Sequence, residues 1–113
     1  MGVFNGIFPI LAGKEADGRA FAAETIGPKL TEFEAMQARS GVTRETWTLQ
    51  ETPMGSFMVV WFEGNVEEAF GDLATATDDF TVWFRGQVLD ITGIDMSQPP
   101  DGPPPDVLVD WSA

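Results

Sequence analysis

The sequence predicts an α+β fold: one antiparallel sheet with helices on one face, its elements in the order βαββαβ. Three observations carry this. Val42 to Gly64 reads as two strand-like runs joined by Thr52-Pro53-Met54-Gly55, a hairpin with a short loop. Segments with helical spacing of apolar residues lie on either side of that hairpin. Apolar runs of strand length open and close the chain, at Val3–Leu11 and Val107–Trp111.

Composition bounds what the fold can do. The chain has 113 residues, enough for one domain with a core that needs no staple, and 43% of them are hydrophobic, which argues against disorder. It has no cysteine, histidine or tyrosine. That excludes disulfides, thiolate metal sites, Cys nucleophiles and every triad or dyad that needs an imidazole. With 18 acidic against 6 basic residues the formal charge is −12. Such a surface repels phosphate backbones and anionic bilayers, so neither nucleic acid nor membrane is an expected partner. Met1 to Gly13 has no basic n-region and holds Asn5, Gly6 and Pro9, and no apolar run approaches the roughly 20 residues of a membrane span. A soluble cytoplasmic protein is the expectation.

Val3 to Leu11 is the first strand. Val3, Asn5 and Ile7 share one face, and Phe4, Phe8 and Ile10 the other, so both faces are largely apolar. Pro9 cannot donate to a ladder and belongs near the strand end or on an edge. Gly13-Lys14 turns the chain. Lys14 to Arg39 is helical, with Ala22, Ile26, Leu30, Phe33 and Met36 on one arc, and Pro28 kinks it or starts a second segment. Ser40-Gly41 stops it, with Gly41 in the left-handed cap position.

Val42 to Gln50 is the second strand, with Trp47 and Leu49 on one face and Arg44, Thr46 and Thr48 on the other. The third, Phe57 to Phe62, sets Phe57, Val59 and Trp61 against Met58, Val60 and Phe62. Asn65-Val-Glu-Glu68 suits an Asn N-cap, and Val66, Ala69, Phe70 and Leu73 have helical spacing. Asp78-Asp79 starts a further segment whose stripe is Phe80, Trp83, Phe84, Val88 and Ile91, and Gly93 ends it. Residues 1–96 thus form the domain and residues 97–113 an arm. From Gln98 to Asp106 five of nine residues are proline, which imposes an extended course. The arm ends in Val107–Trp111, expected to dock as a strand on its own domain or on a partner.

This order is the split βαβ, or ferredoxin-like, pattern. Helices on one face leave the other apolar face of the third strand uncovered, and the simplest cover is a second copy packed sheet to sheet. The order and the two-faced sheet resemble the dimeric α+β barrel superfamily, which includes antibiotic-biosynthesis-type monooxygenases. Gly41-Val-Thr-Arg-Glu-Thr-Trp47, Asp78-Asp-Phe-Thr-Val-Trp-Phe-Arg85 and Gly93-Ile-Asp-Met96 resemble a small, uncharacterised bacterial group within it. The resemblance implies a dimeric α/β barrel and, in its enzyme members, cofactor-independent oxygenation of phenolic or quinone-type substrates. In that group a histidine often stands where Thr92 stands here, so any role of that imidazole is missing.

A ligand pocket is expected between sheet and helices, made by Asn5, Trp47, Trp61, Trp83, Phe84 and Thr92. Flat aromatic walls with an amide suit a small aromatic molecule. In the oxygenase alternative Asn5 and Trp61 would orient the substrate; in a third reading the apolar faces only build the core and a dimer interface. Arg44 and Arg85 are candidate carboxylate holders, although Arg85 has acidic neighbours to pair with in Asp78, Asp79 and Asp90. Glu45 or Glu63, where buried, could act as general base. The acidic positions lack calcium-loop spacing, and there is no phosphate-binding glycine loop, so neither metal nor cofactor is expected.

Overall fold

The computed structural model describes residues 2–113. It contains β1 (Gly2–Ile10), α1 (Glu15–Ile26), α2 (Leu30–Arg39), β2 (Arg44–Thr52), β3 (Gly55–Gly64), α3 (Val66–Thr75) and α4 (Asp79–Thr92). The fold is α+β, with an antiparallel sheet of three strands in the order β1-β3-β2. The hairpin closes with Thr52 opposite Gly55, so only Pro53 and Met54 lie in the loop. The Thr52 hydroxyl secures this turn, donating to the Gly55 carbonyl at 2.7 Å and accepting from the Met54 N–H at 3.1 Å.

Side-chain alternation then assigns the faces. Phe4, Gly6, Phe8 and Ile10 of β1 share the covered face with Met58, Val60 and Phe62 of β3 and Glu45, Trp47 and Leu49 of β2. The helices pack there, with Phe21, Met36, Phe80, Phe84 and Ile91 joining Ile10 in the buried core. Among the described residues no element covers the opposite face: Ile7 is 63% exposed and Val59 38%. β1 is an edge strand, and Pro9 lies one residue from its end, where a missing N–H is tolerated.

Gly27-Pro28-Lys29 breaks the first helical region into two helices, as the proline requires. The break also resets the helical phase, which corrects the inward arc. Ile26 is 67% exposed, while Gly18, Phe21 and Thr25 form the buried stripe of α1. A polar residue is tolerated there because the Thr25 hydroxyl donates to the Phe21 carbonyl at 2.8 Å. Gly41 and Gly93 follow α2 and α4 with φ of 61° and 76°, the left-handed positions expected of them.

Asp78 caps α4 by accepting from the Thr81 N–H at 3.0 Å. Asn65 holds the N-cap position of α3, but its side chain accepts no cap hydrogen bond; its amide points toward Glu68 instead, at 3.5 Å. The second helical region again divides, into α3 and α4, and the predicted stripe of α4 faces the core.

Of the two dockings expected for the arm, the one on its own sheet is not formed. Val107–Trp111 is not a strand of its own chain's sheet; Leu108 is 86% exposed and Trp111 79%.

Candidate functional site

Between the covered sheet face and the helices lies a partly enclosed cavity, with about 110 Å³ open to the centre of a water-sized sphere. That is room for several waters or one small ring-bearing molecule. Two aromatic groups bound it. Phe21, Trp47 and Phe84 form one, with ring centroids 5.0 to 5.8 Å apart. Phe4, Phe62 and Phe70 form the other, at 4.9 to 5.8 Å. Each set sits at the spacing favoured by edge-to-face and offset rings. Met36, Met58 and Met96 line the remaining wall with flexible thioethers.

Gly6 leaves room for the Phe4 ring that lines this space. A Cβ there would lie 2.5 Å from the Phe4 ring, because that ring folds back along β1 over the glycine. Gly6 stands in register with Val60 and, across β3, with Trp47, so the middle inward row is large only on its β2 side.

One ionisable side chain lines the cavity, Glu45. It occupies the inward row with Phe62 and Phe4. Gln37 of α2 donates from Nε2 to its Oε1 at 2.8 Å, and the Trp47 indole N–H donates to its Oε2. Burial pushes the carboxyl above its ordinary value, and the two hydrogen bonds only partly oppose this. The site is therefore an apolar, aromatic chamber with a single carboxyl on its wall, held by two neutral donors.

Of the expected pocket residues, the structure brings together Trp47, Phe84 and Thr92. The Thr92 hydroxyl donates to the Val88 carbonyl at 2.7 Å and accepts from the Ile94 N–H at 3.1 Å, so it finishes α4 rather than reaching a ligand. Asn5 and Trp61 are cross-strand partners on the opposite, open face; strand alternation places them away from this chamber. Trp83 packs behind the wall against Phe21 and Phe80, at 5.4 and 5.6 Å, with the Lys29 ammonium 4.9 Å from its ring centroid.

Among the described residues Arg85 forms no salt bridge, although, after the hydrogen bonds from Ser97, its charge helps hold the Asp95 carboxyl below its ordinary value. Its Nη1 donates to the Leu73 and Ala76 carbonyls at 2.8 and 2.7 Å, closing the C-terminal end of α3. Arg44 is exposed on the open face, in register with Glu63, which accepts from the Thr43 hydroxyl at 3.2 Å.

The sequence reading did not single out Gln37, Met58 or the Phe4–Phe62–Phe70 group as site residues. The signal for the carboxyl was present in Glu45-Thr-Trp47-Thr-Leu49, where alternation sets a charge in phase with two inward apolar residues. No family model matches this chain, and neither does any curated protein or solved structure.

Proposed function

We propose that this protein binds a small apolar or aromatic molecule between its sheet and helices and works as a homodimer. The chamber beside Glu45 carries the binding half of the reading: it combines enclosed aromatic walls with one convergent polar group, as small-molecule sites do. Thermal melting with a panel of small ring compounds tests it. Ligands that raise the melting temperature are expected to lose the effect in Val60→Trp, which fills the chamber from its sheet side. If no ring compound shifts melting, the reading fails, and a domain whose apolar faces only assemble is what remains.

The dimer reading draws on the open face. Val3, Ile7, Phe57, Val59 and Trp61 make that face apolar. The strand residues on this face include one charge of each sign, Arg44 and Glu63, on a chain of net charge −12. A second copy can therefore approach this face without the repulsion it would meet elsewhere, and a two-fold axis would set the same patch against itself. Sedimentation at micromolar concentration should give a dimer for the natural sequence and a monomer for Val59→Asp; a monomeric natural protein refutes the reading.

The ferredoxin-like completion belongs to the same proposal. The outer edge of β1 is unpaired, and α4 ends beside the end of β1, where the Leu11 N–H donates to the Ile91 carbonyl at 2.9 Å. The free edge of β1 can receive Val107–Trp111 of a second copy as a fourth strand. Slow amide exchange at residues 107–111 in the dimer would support this, and exchange at the rate of free chain would exclude it. Membership of the dimeric α+β barrel superfamily is supported by the strand order and by this free edge. The oxygenase alternative built on Asn5 and Trp61 gains nothing from the chamber, since neither residue lines it.

A further inference from the structure

The carboxyl of Glu45 decides which small molecules suit the chamber, an inference that rests on the binding reading above. Gln37 and Trp47 give the carboxylate two hydrogen bonds but no positive charge. Each oxygen still has a lone-pair direction free for a further donor. Among the described residues, the elements packed around it supply no counter-ion. On α2, Arg39 is engaged by Asp72 at 2.9 Å and Asp78 at 3.6 Å. On α3, Asp72 is held by that same guanidinium. β3 and β1 contribute Phe62 and Phe4 to the row. None of the other lining residues is charged, so the chamber has one formal negative charge and no positive one.

The walls point the same way. The faces of aromatic rings carry negative potential and attract cations, most strongly where water is excluded, and six rings from the two aromatic groups border the space. At longer range, a chain of net charge −12 concentrates cations around itself and repels anions. A half-buried carboxylate that lacks a counter-ion bears part of the cost of desolvation, and a ligand that brings a counter-ion relieves it.

We propose that the chamber is a site for a protonated amine carried on a small aromatic or apolar body, with the ammonium on Glu45 and the body among the rings. The amine donates to the carboxylate in a charge-assisted hydrogen bond, and the rings desolvate the rest of the ligand. A carboxylate-bearing ligand of the same shape is rejected, because it would meet Glu45 as a like charge.

Three probes of one shape and different charge test this: phenethylamine, phenethyl alcohol and phenylacetate, titrated against the full-length protein at neutral pH. Tryptophan emission is the readout, since the Trp47 indole is bonded to the carboxyl that receives the ligand. Phenethylamine is expected to bind about 10- to 100-fold tighter than the alcohol, with phenylacetate weakest. In Glu45→Gln the preference for the amine over the alcohol should disappear. Equal binding of amine and alcohol by the natural protein overturns the amine assignment and leaves the binding reading standing. An amine preference that survives in Glu45→Gln overturns the role of Glu45. If none of the three changes emission or melting temperature, both readings fall. The natural-protein series decides the question even where Glu45→Gln does not fold.

Discussion

Arg85→Met removes the guanidinium that closes α3 and keeps most of the aliphatic stem that packs beside it. The guanidinium makes two short bonds, to the Leu73 and Ala76 carbonyls at 2.8 and 2.7 Å. A hydrogen bond involving a charged group contributes about 1.5 to 3 kcal/mol. Arg85 is half-buried, and the freed carbonyls can turn toward water, so the low end applies to each bond. The expected loss is about 3 kcal/mol. An unfolding entropy of about 2.1 cal/mol/K per residue, taken over 113 residues, gives about 0.24 kcal/mol/K, so the melting temperature should drop by about 12 °C. Urea unfolding of the variant measures the loss, and amide exchange should speed up first in the last turn of α3. A cost below about 0.5 kcal/mol would refute the capping role. So would a double-mutant cycle in which Arg85→Met and Asp78→Asn couple strongly, since that would make the arginine the partner of an acid.

The carboxyl of Glu45 binds its proton more tightly folded than unfolded, because burial raises it above the ordinary 4.5. By linkage, the stability Glu45 contributes is fully present below that ordinary value and is lost as pH rises through the raised one. Glu45→Gln should remove this descent and be the more stable form at the alkaline end of a urea series run from about pH 4 to 8; superimposable pH profiles would count against the burial account. Gly6→Ala drives a methyl into the Phe4 ring and should cost about 1 to 3 kcal/mol by denaturant unfolding; a neutral outcome would mean that the ring moves aside freely. Asp78→Ala removes the N-cap of α4 and should cost about 1 kcal/mol, with Asp78→Ser recovering most of it.

Much of the site was already legible in strand alternation. Trp47 and Leu49 face inward as that period demands, and Glu45 belongs to the same set, so its place in the sheet is local information. Its burial is not local. That depends on α2 setting Gln37 over it and on Trp47 turning its indole N–H back toward the carboxyl, two events that involve different elements. Asn5 shows the converse. Its face was legible, since it alternates with Phe4, but which face the helices cover is decided only when they pack, and that decision put Asn5 and Trp61 outside the chamber. Arg85 has three acids nearby in sequence and forms a salt bridge with none of them; its Nη1 donates to the carbonyls at the end of α3 instead.

By itself, the sequence determined the strand alternation, the short hairpin turn at Thr52–Gly55, the helix start at Asp78-Asp79, the glycine stops after α2 and α4, and the absence of imidazole and thiol chemistry. Those follow from side-chain period, from φ preferences and from composition, all of which act over a few residues. Only the tertiary structure decided the phase of α1, where Phe21 and Thr25 rather than Ile26 turn inward once Pro28 separates the helices. Only it decided that a carboxyl should line an aromatic chamber. Burial and pairing are properties of what surrounds a residue, and in this chain those surroundings come from segments dozens of residues apart.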